Sequence, residues 1–125
     1  MPAYVLLLPQ QVSDDPRAML PYQEQVEATM ATFGGGYRTL MRHQIEVLEG
    51  DWKPPHGVVL LEFPDLERAR AWYHSEGYAP LLAQRLEHMR CNTLLIDGLE
   101  AGVTLLSLGI LSPSERARIE QIDGS

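Results

Sequence analysis

A chain of 125 residues, 45% of them hydrophobic and 22% charged, is composed for one globular domain that buries roughly two thirds of its unfolded-chain surface without staples. Its net charge of -7 leaves no basic surplus to neutralise phosphates, which excludes nucleic acid and anionic membrane surfaces as expected partners. Cys91 is the single cysteine and so forms no internal disulfide, which points to a reducing, cytoplasmic setting.

The opening MPAYVLLLPQ has neither the charged n-region nor the cleavage site of a signal peptide, and reads as a strand. Within it, Ala3 to Leu8 is a near-continuous apolar run closed by Pro9, the pattern of a strand buried on both faces. Asp15 stands where it caps a helix, with Pro16 at the first position. Met19, Gln23, Val26, Met30 and Phe33 recur at threes and fours, giving an amphipathic helix that ends at Gly34-Gly35-Gly36. That triplet follows a helix instead of opening one, and no phosphate-loop pattern surrounds it.

Tyr37 to Leu48 alternates apolar and polar residues, as a half-polar edge strand does. After a turn-rich loop, Gly57 to Phe63 is the next strand and completes a hairpin. If the hairpin is symmetric about Trp52, Arg42 lies across from Glu62 and the two pair. Pro64-Asp65 then caps a second helix carrying Leu66, Ala69, Trp72 and Tyr73 on its inner side. Ser75-Glu76-Gly77 interrupts it, and Tyr78 to Met89 resumes with Leu81, Leu82, Arg85, Leu86 and Met89 at helical spacing. Cys91 to Ile96 is a short fourth strand, and Asp97-Gly98 turns the chain.

The order β-α-β-β-α-β has a preferred solution: two right-handed crossovers interleave into a four-stranded antiparallel sheet with both helices on one face. Strands one and three become central, and these are the two that are apolar throughout. Their side chains also point to the uncovered face, which a second copy of the same sheet covers economically. A homodimer is expected.

The segments GDWKPPH, VVLLEFPD and ARAWYHSEGY together resemble the family called domain of unknown function 1330, over roughly Ala3 to Gly98. The resemblance implies an α+β ferredoxin-like domain of the dimeric α/β-barrel superfamily, whose members include cofactor-free monooxygenases and lactone isomerases; their chemistry transfers only as analogy. Gly77 departs from the Pro-Glu pair expected after the serine. The domain is thus drawn at 1–98, and 99–125 is a C-terminal extension. In it, Val103 to Ile110 reads as a fifth strand, and Ser112-Pro113-Ser114-Glu115 as a capping box that opens a helix to about Ile122. The strand is expected to pair with a sheet edge, in its own chain or in the partner.

The four histidines show no ligand spacing, so no metal and no cofactor is expected. No nucleophile elbow or Cys-with-His signature is present, and a catalytic residue is not nominated. The aromatic set is more informative. Trp52 in its loop, with Trp72, Tyr73 and Tyr78 flanking the helix break, would wall a gap between helix and sheet. Arg42, His56, Glu62 and Asp51 are the polar groups on offer to a ligand there. Against that stands plain core packing for the rings and an ion pair of Glu62 with Arg42 or Arg38. His56 and Glu62 lie six residues apart, roughly 20 Å along an extended strand, so they do not form one dyad. The function expected is a homodimeric small-molecule-binding domain. The alternatives are a cofactor-independent enzyme on a small organic substrate and a structural or interaction module.

Overall fold

The computed structural model describes residues 1–40, 44–108 and 113–123. The elements run β1 (Ala3–Val12), α1 (Leu20–Ala31), β2 (Gly36–Thr39), β3 (Val59–Phe63), α2 (Leu66–Tyr73), α3 (Ala79–His88), β4 (Met89–Asp97), α4 (Leu105–Leu108) and α5 (Pro113–Asp123). The strands form one antiparallel sheet in the order β2-β3-β1-β4, so the two strands with the most apolar sequence are central, as the crossover argument requires.

Register explains which side chains face the helices. Val5 lies between Leu61 and Leu95, and Leu7 between Val59 and Thr93, so one face carries Ala3, Val5, Leu7, Leu61 and Phe63, all buried. Alternation sends the intervening residues to the other face. There Tyr4 lies between Glu62 and Ile96, and Leu6 between Leu60 and Leu94. These are only half-buried or exposed, with Leu94 at 50% and Ile96 at 40%. The helices cover the first face with Val26, Met30, Ala69, Trp72 and Leu81.

Several boundaries differ from the sequence expectation, each for a local reason. β1 runs on through Pro9 to Val12, because a register shift between Pro9 and Gln11 absorbs the proline. α1 starts at Leu20, later than expected: the Asp15 carboxylate accepts from Arg17 N–H (2.9 Å), which makes a turn, and Pro21 sits in the helix's first turn. β2 ends at Thr39, and residues 44–48 are not strand, so the long edge strand to Leu48 does not form over the described residues. The hairpin pairs Gly36 with Glu62 and Tyr37 with Leu61. It is therefore not centred on Trp52, and Glu62 pairs with Arg38 (2.6 Å); Arg42 lies outside the described residues.

The helix ends follow their sequence signals closely. The Asp65 carboxylate accepts from Arg68 N–H (2.8 Å) and opens α2. Ser75 closes it by donating to Trp72 C=O (2.8 Å) and accepting from Tyr78 N–H (3.2 Å), after which α3 starts at Ala79 with Pro80 in its first turn. In the glycine triplet, Gly34 takes φ of +76°, the left-handed turn after a helix. Gly35 is needed for a different reason: a Cβ there would overlap the Phe63 ring. In the extension, Leu105–Leu108 is helical, not the fifth strand expected over Val103 to Ile110, of which residues 109 and 110 lie outside the described residues. The helix expected after the capping box is present as α5, with Ser112 itself outside the described residues.

Candidate functional site

One end of the helix–sheet layer is filled with rings. Trp72 stacks against Tyr78 with centroids 4.1 Å apart and against Phe63 at 5.3 Å, and Tyr73 packs on the outside of both Trp72 and Tyr78. The Trp72 indole N–H donates to Thr29 Oγ1 (3.0 Å) on α1, so even its polar atom is satisfied internally. This end is a closed core.

The other end is open. Between α1, the start of α3's partner strand β4 and the sheet lies a cavity of about 580 Å³. Leu7, Pro9, Val59, Leu61 and Met89 form its apolar walls, and Tyr22, Tyr37, Glu27 and Arg85 bring polar groups to it. Its size and its mix of oily wall and few polar groups match those of small-molecule sites. A shallower depression of about 500 Å³ is lined by Glu27, Met30 and Ala31 of α1 and by Gly36 and Tyr37 of β2, with no buried charged group among its lining residues.

Arg85 is the unusual member. It is 2% exposed, on the stripe of α3 that also buries Leu81. Its Nε donates to the Tyr78 hydroxyl (3.4 Å), and that hydroxyl lies 2.7 Å from the Tyr22 hydroxyl. Among the described residues no carboxylate lies within 4.0 Å of it. Burial disfavours the guanidinium charge, but the adjoining Tyr78, Tyr22 and Cys91 outweigh that and hold its pKa above the ordinary value. Burial pushes the Tyr22 phenol well up, reinforced by Tyr78. It pushes Tyr37 up to about 12, with the nearby Glu27 charge adding to it. The Cys91 thiol is also raised by burial, with Arg85 opposing, so the group is a neutral thiol at neutral pH and a poor nucleophile.

Of the residues nominated from sequence, Trp72 and Tyr78 are brought together in the ring cluster, Trp52, His56 and Glu62 lie apart from them, and Arg42 lies outside the described residues. Trp52, 58% exposed, and His56 lie on the exposed loop between β2 and β3. Glu62 points to the open face of the sheet, tied to Arg38, on the opposite side from the cavity. Trp72 is interior to the ring cluster. Tyr78 reaches the cavity's polar corner through its hydroxyl, although its ring belongs to the core. Sequence reasoning missed Tyr22, Tyr37 and Arg85 as a group. One signal was available: Arg85 stands four residues from both Leu81 and Met89, on the helix stripe that must be buried. Among the described residues no cluster of His, Cys, Asp and Glu is set to hold a metal, and no helix is long and apolar enough to cross a membrane.

Residues 2–99 match the family described as Domain of unknown function (DUF1330). No curated protein matches the chain. Among solved structures, a protein of unknown function from Rhodopseudomonas palustris, RPA0582, is similar at 13% identity with a TM-score of 0.60, over 79% of this chain and 83% of that one. A mutant of SnoaB, a cofactor-independent oxygenase from Streptomyces nogalater, is similar at 15% identity with a TM-score of 0.51, over 83% of this chain and 95% of that one. At these identities the likeness is one of fold, the ferredoxin-like α+β architecture that the element order implied.

Proposed function

We propose that this chain, which belongs to the family described as Domain of unknown function (DUF1330), is a homodimeric small-molecule-binding domain whose site is the cavity between α1 and the sheet. The observation that carries the reading is the cavity itself: oily walls meet Tyr22, Tyr37 and Arg85 in a space large enough for a compact organic molecule. The ring cluster packs beside that space, and a ligand entering a hollow already formed avoids the cost of opening one. A crystal structure of the purified protein soaked with aromatic and aliphatic fragments tests it. Density among Leu7, Val59, Leu61 and Arg85 is the expected result; fragments found only on the surface would sink the pocket.

Binding is favoured over catalysis by what the cavity offers. Proton-transfer chemistry needs a base of suitable pKa within reach of the substrate. Among the described lining residues the carboxylate is that of Glu27, exposed at the rim, while Tyr22 and Tyr37 hold their protons more firmly than a free phenol. The enzymatic alternative leans on the fold shared with SnoaB, a cofactor-independent oxygenase.

The dimer rests on the open face of the sheet. Leu94, Leu6 and Leu60 form one row across it and Ile96 and Tyr4 another, edged by the Glu62–Arg38 pair. Such a patch is self-complementary about a two-fold axis, and a second copy would remove it from water. Leu94→Asp is expected to convert the dimer to a folded monomer by light scattering; a wild-type monomer at micromolar concentration would end the idea. The division at 1–98 with 99–125 as an extension, and the cytoplasmic setting drawn from the single Cys91, belong to the same proposal.

A further inference from the structure

We infer that the ligand of this cavity is an organic acid bound as its monoanion, with the acidic group against Arg85 and Tyr22 and an apolar body against Leu7, Val59 and Leu61. This rests on the cavity being the binding site and adds what the site selects. The first observation is the missing counter-ion: Arg85 is 2% exposed, and among the described residues no carboxylate lies within 4.0 Å. A buried charge without a counter-ion is costly, and folded proteins pair such groups or set them against a ligand. Its neighbours are not carboxylates: Arg85 Nε donates to the Tyr78 hydroxyl, and burial keeps the Cys91 thiol protonated.

The second observation comes from counting hydrogens. The Tyr78 hydroxyl has one proton, and its oxygen accepts from Arg85 Nε. Tyr78 is fully buried, and its one other hydroxyl partner is Tyr22 at 2.7 Å. Its proton therefore goes to the Tyr22 oxygen, since otherwise it would be left without an acceptor in the interior. That frees the Tyr22 O–H, on the cavity wall, to donate inward. The guanidinium and this hydroxyl present donors to the same hollow, an arrangement that recognises an oxyanion and rejects a group that only donates. Glu27 at the exposed rim adds a negative charge at the mouth, which selects against a second charge on the ligand.

The test is an NMR titration of the full chain with benzoate, cinnamate and octanoate, each against its own primary amide. The acids are expected to bind at least tenfold more tightly than the amides, with shifts centred on Tyr22, Leu61 and Arg85. Arg85→Met is expected to bring the acids down to the level of the amides. Tyr22→Phe, a smaller change that keeps the ring, is expected to weaken the acids severalfold and serves where the arginine variant does not fold. Acids and amides binding equally in the cavity, or an acid preference that survives in both variants, overturns the charge assignment alone. Neither series perturbing the cavity residues overturns the pocket, and this inference with it.

Discussion

The two ends of the same helix–sheet layer are built on opposite plans. At one, Phe63, Trp72, Tyr73 and Tyr78 fill the space ring against ring, and every polar atom of Trp72 is satisfied within the chain. At the other, Tyr22, Tyr37 and Arg85 stand around a cavity of about 580 Å³. The closed end gains from contact and gives nothing to a ligand. The open end gives up packing and keeps a buried cation with no carboxylate within 4.0 Å among the described residues. Tyr78 joins the two: its ring belongs to the first and its hydroxyl anchors Arg85 and Tyr22 in the second. The two plans are thus separated by only one side chain, and mutations at the two ends should behave differently.

The sharpest break would come at Trp72. Trp72→Ala removes the centre of the closed end, and a loss of about 3–5 kcal/mol in chemical denaturation is expected from cavity formation in a core. A loss under about 1 kcal/mol would mean that this end is not what holds the layer together. Gly35→Ala tests the same cluster from outside, because its new Cβ meets the Phe63 ring. Overpacking of this kind costs about 1–3 kcal/mol, and a neutral result would show that Phe63 has room to move.

The open end responds instead to alkali. A free tyrosine titrates near 10, whereas Tyr37 in the folded chain is pushed up to about 12 by burial and by Glu27. The unfolded chain therefore loses this proton first. The associated stability is fully present below about pH 10 and is lost as pH rises from there to about 12. Denaturation midpoints followed through this range should fall, with Tyr37→Phe showing a shallower decline and Tyr22 extending the fall at higher pH. A decline untouched by Tyr37→Phe would place the titration elsewhere. The smallest effect is expected at Trp52, which is exposed: Trp52→Ala should alter stability by less than about 0.5 kcal/mol. A larger loss would add the β2–β3 loop to the comparison as a third structured region.

Much of the fold was legible because it rests on short-range rules. The apolar runs at Ala3 to Leu8 and Val59 to Phe63 announced central strands, and Asp65 and Ser75 marked where α2 begins and ends. Errors arose where a local rule met a competing one. Alternation alone read Tyr37 to Leu48 as one strand, yet pairing with β3 needs only Gly36–Thr39, and a register shift follows Tyr37. The apolar stretch after Val103 has no period that separates a strand from a short helix, and Leu105–Leu108 is helical.

The site was hidden for a different reason. Trp52 and Trp72 look equivalent as residues, but one lies in water and the other in the core. Periodicity fixed the faces of each element, and the β-α-β-β-α-β order fixed the sheet, because both depend on backbone geometry and chirality. Tyr22 and Tyr78 are 56 residues apart and come within hydrogen-bond distance only after both crossovers have closed. Which rings would pack tightly, and where a hollow lined by a buried arginine would remain, depended on how separately formed elements fit in space.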